Sequence, residues 1–332
     1  MSPRSQGEIR RSQLITTYGV GSIVALADES FMIAGIDRWA IDPTLHEPRL
    51  ERELNLTALA VPPATENGPD VPIVRFPTWV SCPVCNRLNE HRFFASFDRN
   101  VCGTCDAALV PSRFIAACAN GHADDFPYFK WVHKGSPPTG AAHALRLIAA
   151  GSSAALGDIT ISCDCGIAMT MEGAFGRFSL RDITACSGRR PWLTTAEVGC
   201  VELPRVLLRG ASNVWFGIVR SALSIPPWSD GAFQVLGKRW SILRHVPGEA
   251  LAATLTSMRV AEGTEYTVDD LIQAIAEWKR YQGGPPPEAS LRDAEYEALL
   301  RGRSETSAKQ QFVCVATPVL SLIHISEPTR PY

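Results

Sequence analysis

No run of about eighteen apolar residues occurs in this 332-residue chain, so no segment has the makings of a membrane-crossing helix. Charge of one sign is missing too: 32 Lys and Arg face 34 Asp and Glu. A basic tail that would announce nucleic acid is therefore absent, and any DNA contact has to come from local patches. The phosphate-loop ending Gly-Lys-Ser/Thr is found nowhere, which excludes ATP hydrolysis of that kind. Tyr18-Gly19-Val20-Gly21 has the glycines but not the lysine, and reads as a tight turn. Internal repeats are lacking, and low complexity is limited to a short proline run.

Cysteine, by contrast, is plentiful, with ten residues. Four form two C-x-x-C pairs, Cys82-Pro83-Val84-Cys85 and Cys102-Gly103-Thr104-Cys105. Two residues between cysteines let both sulfurs reach one ion from a tight turn, and a second such turn completes a tetrahedron. The spacing between the pairs suits a four-thiolate zinc ribbon with a short hairpin between its knuckles. Disulfides or a redox pair are the bland alternatives, but a redox C-x-x-C needs one pair and a βαβ setting. The pattern predicts Zn2+ bound by Cys82, Cys85, Cys102 and Cys105, and a reducing, cytoplasmic compartment.

A second metal site has six candidate ligands: Cys118, His122, Cys163, Cys165, Cys186 and Cys200. One tetrahedral ion needs four. Cys163, Cys165 and Cys186 are the expected members, with Cys118 or Cys200 as the fourth. Otherwise several of these are buried free thiols, which are ordinary core residues.

Elsewhere the chain alternates short strand-like and helix-like segments. Residues 22–27 and 30–36 read as a hairpin turning at Asp28-Glu29. A loop is expected over 60–72, a strand over 75–80, a helix over 141–150 ending at Gly151, and strands over 159–162 and 201–208. Thr267 with Asp270 makes a capping-box variant, ahead of Leu271, Ile272, Ile275 and Trp278 at helical spacing. A second helix over 290–300 is expected to turn Leu291, Tyr296, Leu299 and Leu300 inward. The fold class is α+β: mixed strands and helices with the zinc ribbon inserted. The segments are 1–74 (hairpin-containing), 75–135 (zinc ribbon), 136–225 (Cys-rich α/β), 226–319 (helical) and 320–332.

Both ends carry segments that imitate something else. Arg4, Arg10 and Arg11 ahead of residues 14–27 copy a signal peptide, but Thr16, Thr17, Tyr18, Gly19, Gly21 and Ser22 break the apolar run. Residues 320–330 resemble a translated transposase adapter from sequencing libraries. On that reading the polypeptide is cut near Val319, and 320–332 are set aside.

Two further groups invite functional readings. His122, Asp124, Asp125 and His133 could hold a metal or act as acid and base. With no nucleophile paired to them, an aromatic core with polar rims around Phe126 and Trp131 is the preferred reading. Arg113, Arg189, Arg190 and Arg209, with Asn213 after an apolar strand, suit phosphate or partner contacts; Asn213 equally suits a turn.

Ordered motifs along the chain are similar to those of a known family. They run from Arg11-Ser12-Gln13-Leu14-Ile15-Thr16-Thr17-Tyr18-Gly19-Val20-Gly21 and Gly35-Ile36-Asp37-Arg38-Trp39 through the two knuckles. They continue with Pro111-Ser112-Arg113-Phe114, Gly121-His122, Asp125-Phe126-Pro127 and Trp131-Val132-His133. Last come Cys186-Ser187-Gly188, Pro191-Trp192-Leu193, Arg209-Gly210-Ala211-Ser212-Asn213 and Ser224-Ile225-Pro226-Pro227. From Arg10 to Ala316 the chain resembles the DrmB family of DISARM anti-phage systems. The family differs in two respects: a further cysteine is expected soon after Trp131-Val132-His133, where His143 is the available substitute, and a proline between Gly19 and Gly21.

The resemblance implies an accessory, non-catalytic subunit of a restriction complex, partnering a DrmA-like superfamily 2 helicase to bind and process foreign DNA. A metal-dependent hydrolase or nuclease using His122, Asp124, Asp125 and His133 is the alternative. A structural adaptor without DNA contact is a third.

Overall fold

A computed structural model describes residues 7–41, 45–63, 70–94, 99–135, 143–149, 155–283, 290–303 and 312–315. The segment 320–332 set aside above lies outside them. The chain divides into two compact units, Met1–Ala40 with Pro62–Val219, and Ile41–Val61 with Arg220–Tyr332. The fold is α+β, with its strands in three antiparallel sheets, all in the first unit.

The first sheet joins β1 (Ile23–Leu26), β2 (Glu29–Ile33) and β3 (Ile73–Arg75) in that order. Leu26 pairs with Glu29, so the hairpin turns at Ala27-Asp28, one residue earlier than expected, and both turn residues have positive φ. A two-residue turn with both φ positive has the twist that antiparallel strands require. Ahead of it, Gly19 and Gly21 close a turn through the Ser22 N–H to the Gly19 carbonyl at 3.0 Å. Trp215 packs on Gly19 and Trp192 on Gly21, where a Cβ would come within 2.9 and 3.0 Å of the rings. The glycine loop is thus a seat for two indoles.

The second sheet is ordered β11-β10-β9-β5-β4-β6. Its strands are β4 (Trp79–Ser81), β5 (Arg87–Glu90), β6 (Val110–Pro111), β9 (Leu145–Ala149), β10 (Ile159–Cys163) and β11 (Ala168–Thr170). The zinc-ribbon segment is therefore part of this sheet. The expected helix over 141–150 is corrected: 145–149 is a strand, and 141, 142 and 150 lie outside the described residues. Leu145 pairs with both Leu88 and Cys163, and Leu147 with Ile161. Two neighbouring strands outweigh the helix preference of an Ala- and Leu-rich stretch.

The third sheet is β12-β7-β8, formed by β7 (Phe114–Ala117), β8 (Ala123–Asp125) and β12 (Arg205–Leu208). Between it and the second sheet lies the main core, with Phe114, Phe126, Tyr128, Trp131 and Ile161 buried. Phe126 packs edge-on against Tyr128 and Trp131, with centroids 4.8 and 5.6 Å apart. The short helix α3 (Tyr128–Val132) supplies two of these rings. The aromatic reading of 124–133 thus fits the packing.

The second unit is helical. Its α7 (Val268–Gly283) buries Leu271, Ile275 and Trp278, and Trp278 stacks on Trp240 with centroids 4.0 Å apart. Thr267 caps this helix as expected: its N–H donates to Asp270 at 2.8 Å, and the Asp270 N–H returns to Thr267 Oγ1 at 3.2 Å. Residues 41–61, assigned to the N-terminal segment by the sequence, contribute α2 (Pro48–Glu53) to this unit.

The inward face of α8 (Leu291–Arg301) is corrected. Tyr296, Leu299 and Leu300 are exposed, and the buried residue is Glu295. Glu295 accepts from the Leu223 N–H at 2.8 Å and from Arg292 at 2.7 Å, with Arg49 3.5 Å away. An anchored carboxylate takes the place of the apolar stripe that spacing suggested. Among the described residues no helix is long and apolar enough to cross a membrane.

Candidate metal centres

Three groups of His and Cys side chains converge in the first unit. They are Cys82, Cys85, Cys102 and Cys105; Cys118, His122, Cys186 and Cys200; and His133, His143, Cys163 and Cys165. Within each, every ligand atom lies within 4.8 Å of the others. All ten cysteines are free thiols.

Each group is anchored on the turn of a β-hairpin. Cys82 and Cys85 occupy the β4–β5 turn, Cys118 and His122 the β7–β8 turn, and Cys163 and Cys165 the β10–β11 turn. The turns are closed by the backbone. In the first, Cys82 N–H reaches the Arg87 carbonyl and Asn86 N–H the Cys82 carbonyl, both at 2.9 Å. The second knuckle repeats this with Cys102, Ala107 and Asp106, each at 2.8 Å. The residue after each C-x-x-C, Asn86 or Asp106, has φ of 59° or 52°. Asn and Asp tolerate the left-handed region well, which suits them to this position. Gly166, following Cys165, meets the same demand at φ 94°.

The spacings fit zinc. A Zn–S bond of about 2.3 Å places tetrahedral sulfurs about 3.8 Å apart. Cys85 and Cys102 sulfurs are 3.9 Å apart, and those of Cys118 and Cys200 4.0 Å. Imidazole nitrogens lie slightly closer, as their shorter bonds require. His122 Nδ1 is 3.3 Å from Cys118 Sγ and 3.5 Å from Cys186 Sγ. His133 Nε2 is 3.4 Å from Cys165 Sγ, and His143 Nδ1 is 3.3 Å from Cys163 Sγ. The first group offers four thiolates, the second three thiolates and an imidazole, the third two of each. Such four-membered donor sets are those of closed structural zinc sites.

Backbone donors prepare the sulfurs. Burial opposes a Cys102 thiolate, but the N–H groups of Thr104 and Cys105 bring it down to about 7, while burial and crowding push Cys105 up to about 12. Cys165 falls to about 6 through the Ile167 N–H and then His133. In the second group, Cys200 falls to about 7 through the Glu202 N–H, while burial pushes Cys186 up to about 12.

The histidines are fixed from outside as well. His133 Nδ1–H donates to the Phe129 carbonyl at 2.7 Å, leaving Nε2 for the sulfurs. His122 Nε2 lies 3.0 Å from Glu197 Oε2, which Arg190 also grips at 3.0 Å. These are the outer partners that orient metal-binding imidazoles.

The first group unites the four cysteines expected from spacing. The second site expected from the sequence is redistributed. Cys186 joins Cys118, His122 and Cys200, whereas Cys163 and Cys165 join His133 and His143. Both Cys118 and Cys200 take part, so they are not alternatives. His143, the substitute for the missing cysteine, is a member, and so is His133. Tertiary folding brings them together: the β7–β8 turn meets the irregular stretch before β12, and the β10–β11 turn meets the end of α3 and the approach to β9.

The quartet His122, Asp124, Asp125 and His133 does not form a group among the described residues. The two histidines belong to different clusters. Asp124 pairs with Arg189 at 2.9 Å. Asp125 accepts from the Thr78 N–H and hydroxyl at 2.7 and 2.6 Å and from the Trp79 N–H at 3.2 Å. Burial nevertheless holds its carboxyl above the ordinary range. A cleft of about 930 Å³ runs past Asp124, Asp125, His91 and Arg189.

Of the basic candidates, Arg189 and Arg190 are engaged with Asp124 and Glu197. Arg113 is exposed, and its carbonyl accepts the Arg209 N–H at 2.9 Å, so these two are neighbours across β7 and β12. Arg209 is half-buried, and burial alone lowers its pKa. Asn213 is exposed beside a second cleft.

An α+β unit whose hairpin turns are gathered into three cysteine and histidine tetrads is thus the class of protein in hand. The chain belongs to the family described as Domain of unknown function (DUF8724), matched over residues 10–216, a span holding all twelve cluster residues. It is also a distant homologue of the DISARM protein DrmB of Bacillus paralicheniformis, 28% identical over 258 residues, 71% of this chain. The chain spans about half, 45%, of the length of that relative.

Proposed function

We propose that this chain is the DrmB-like component of a DISARM anti-phage system. It is a zinc-folded, non-catalytic cytoplasmic subunit that works with a helicase-like partner to bind and process foreign DNA. The observation that carries this reading is the similarity to the DISARM protein DrmB over 71% of the chain. The chemistry of the clusters agrees with it. Closed four-ligand sites hold structure and leave no open position for a reacting water. The four residues of a rival hydrolase are committed elsewhere, two to separate tetrads and two to Arg189 and to Thr78 with Trp79.

The test has two readouts. Purified protein is expected to contain about three zinc ions per chain, one for each four-ligand group. Cells carrying the defence genes are expected to lose phage protection when Cys82 and Cys85 become Ser, and the helicase-like partner is expected to stop co-purifying. Full protection by that variant, or a zinc-free protein of unchanged stability, overturns the reading.

A further inference from the structure

The second cleft of the first unit, about 590 Å³, is lined by Trp192, Trp215, Phe178, Arg177, Arg205 and Asn213, with Glu202 as its acidic member. We propose that it is a binding groove for single-stranded nucleic acid. The proposal deepens the functional reading above in naming the form of nucleic acid and the residues that meet it.

The rings are held in place. Trp215 donates its Nε1–H to the Val20 carbonyl at 3.0 Å, and both indoles rest on the glycine loop. Phe178 is 52% exposed at this cleft, so one part of its ring is open to a ligand. Arg181 and Arg177 lie over Phe178 at 4.0 and 5.3 Å. Stacked guanidinium groups are themselves flat surfaces on which bases lie. Among the described residues, neither Arg177 nor Arg205 makes an ion pair, unlike Arg189 and Arg190.

This combination favours one occupant. Fixed rings next to uncommitted arginines match the stacking surfaces and phosphate charges of an unpaired strand. A duplex hides its base faces in its own stack and has no use for tryptophans. An acidic peptide would be drawn by charge alone, and charge is the lesser part of this groove, with Glu202 opposing the arginines.

The experiment measures binding of a labelled oligothymidylate to the full chain, with a duplex of equal length as comparison. The double variant Arg177→Ala/Arg205→Ala removes only exposed side chains. It is expected to weaken single-strand binding about tenfold. The slope of log affinity against log salt is expected to fall by about 1.4, since two phosphate contacts contribute about 0.7 each on single strands. Phe178→Ala is expected to weaken binding with little change in slope. Duplex is expected to bind more weakly and to ignore all three substitutions. Unchanged single-strand affinity in a variant that keeps its zinc and its melting temperature overturns the groove, as does a wild-type protein that binds no single strand. DISARM membership is read separately, from phage protection and partner co-purification, so either proposal can fail while the other stands.

Discussion

His122 spans two environments: its Nδ1 lies 3.3 Å from Cys118 Sγ, and its Nε2 lies 3.0 Å from Glu197 Oε2. The carboxylate keeps the proton on Nε2 and the lone pair of Nδ1 toward the sulfurs. His122 and Arg190 together hold the Glu197 carboxyl below its ordinary range. Loss of such an outer carboxylate costs a zinc site about 10–100-fold in affinity. Glu197→Gln is therefore expected to release one zinc ion early in a chelator titration and leave the others at wild-type affinity. Release of all the zinc together would contradict this arrangement.

Gly188 is bound to the same site by its backbone. Its N–H donates to Cys186 Sγ at 3.4 Å, and its carbonyl accepts the Glu197 N–H at 2.9 Å. With φ of +67° it occupies the left-handed region, and an added Cβ would fall on the Glu197 carbonyl. The atoms it would meet are backbone, so no side chain can move aside to relieve the clash. Gly188→Ala is expected to displace the segment carrying Glu197 and to weaken the same zinc ion that Glu197→Gln weakens. Combining the two should be less than additive, because both disturb the Glu197 contact to His122. A variant with normal zinc release would show that the loop is free to move.

The contrast between the four-cysteine centre and the other two explains what is legible in the sequence. Cys82 and Cys85 share one turn, as do Cys102 and Cys105, so spacing alone reveals their site. The other tetrads draw on segments that the chain visits far apart, and Cys186 meets Cys118 and His122 only after β8, α3 and the strands β9 to β11 have intervened. No local spacing rule encodes that meeting. The same limit applies to residues 145–149, which become a strand because Leu88 and Cys163 flank Leu145 on both sides. The α7 helix was legible because its signals, the Thr267 cap and the stripe ending at Trp278, are local.

Asp125 separates a structural carboxylate from a catalytic one. It fastens β8 to the start of β4 by accepting from Thr78 twice and from Trp79 once. Asp125→Ala strands those donors, and each buried donor left unsatisfied costs about 1–3 kcal/mol. Chemical denaturation is expected to show a loss of that order, with Asp125→Asn milder because one acceptor oxygen remains. A stable Asp125→Ala protein that has lost a nuclease activity would restore the hydrolase alternative.

Glu295 offers a pH test in the helical unit. Burial raises its carboxyl, but the Leu223 N–H, Arg292 and Arg49 outweigh burial, and its pKa settles below the ordinary 4.5. A carboxylate with a depressed folded-state pKa gives its full stabilisation above the unfolded value and loses it as pH falls through the folded one. Stability attributable to Glu295 is thus expected to be flat above about pH 5 and to decline below about 4.5. Glu47, close by on Arg49 at 3.2 Å, runs the other way, since burial raises its carboxyl. The difference in unfolding free energy between wild type and Glu295→Gln isolates the Glu295 contribution. At neutral pH, Glu295→Ala strands the Leu223 N–H, a loss of about 1–3 kcal/mol for a buried donor, while Arg49 keeps Glu47 at 3.2 Å and the Leu223 carbonyl at 2.7 Å. A pH-independent difference between wild type and Glu295→Gln would mean that the Leu223 N–H, and not the charge of the arginines, is what Glu295 is buried for.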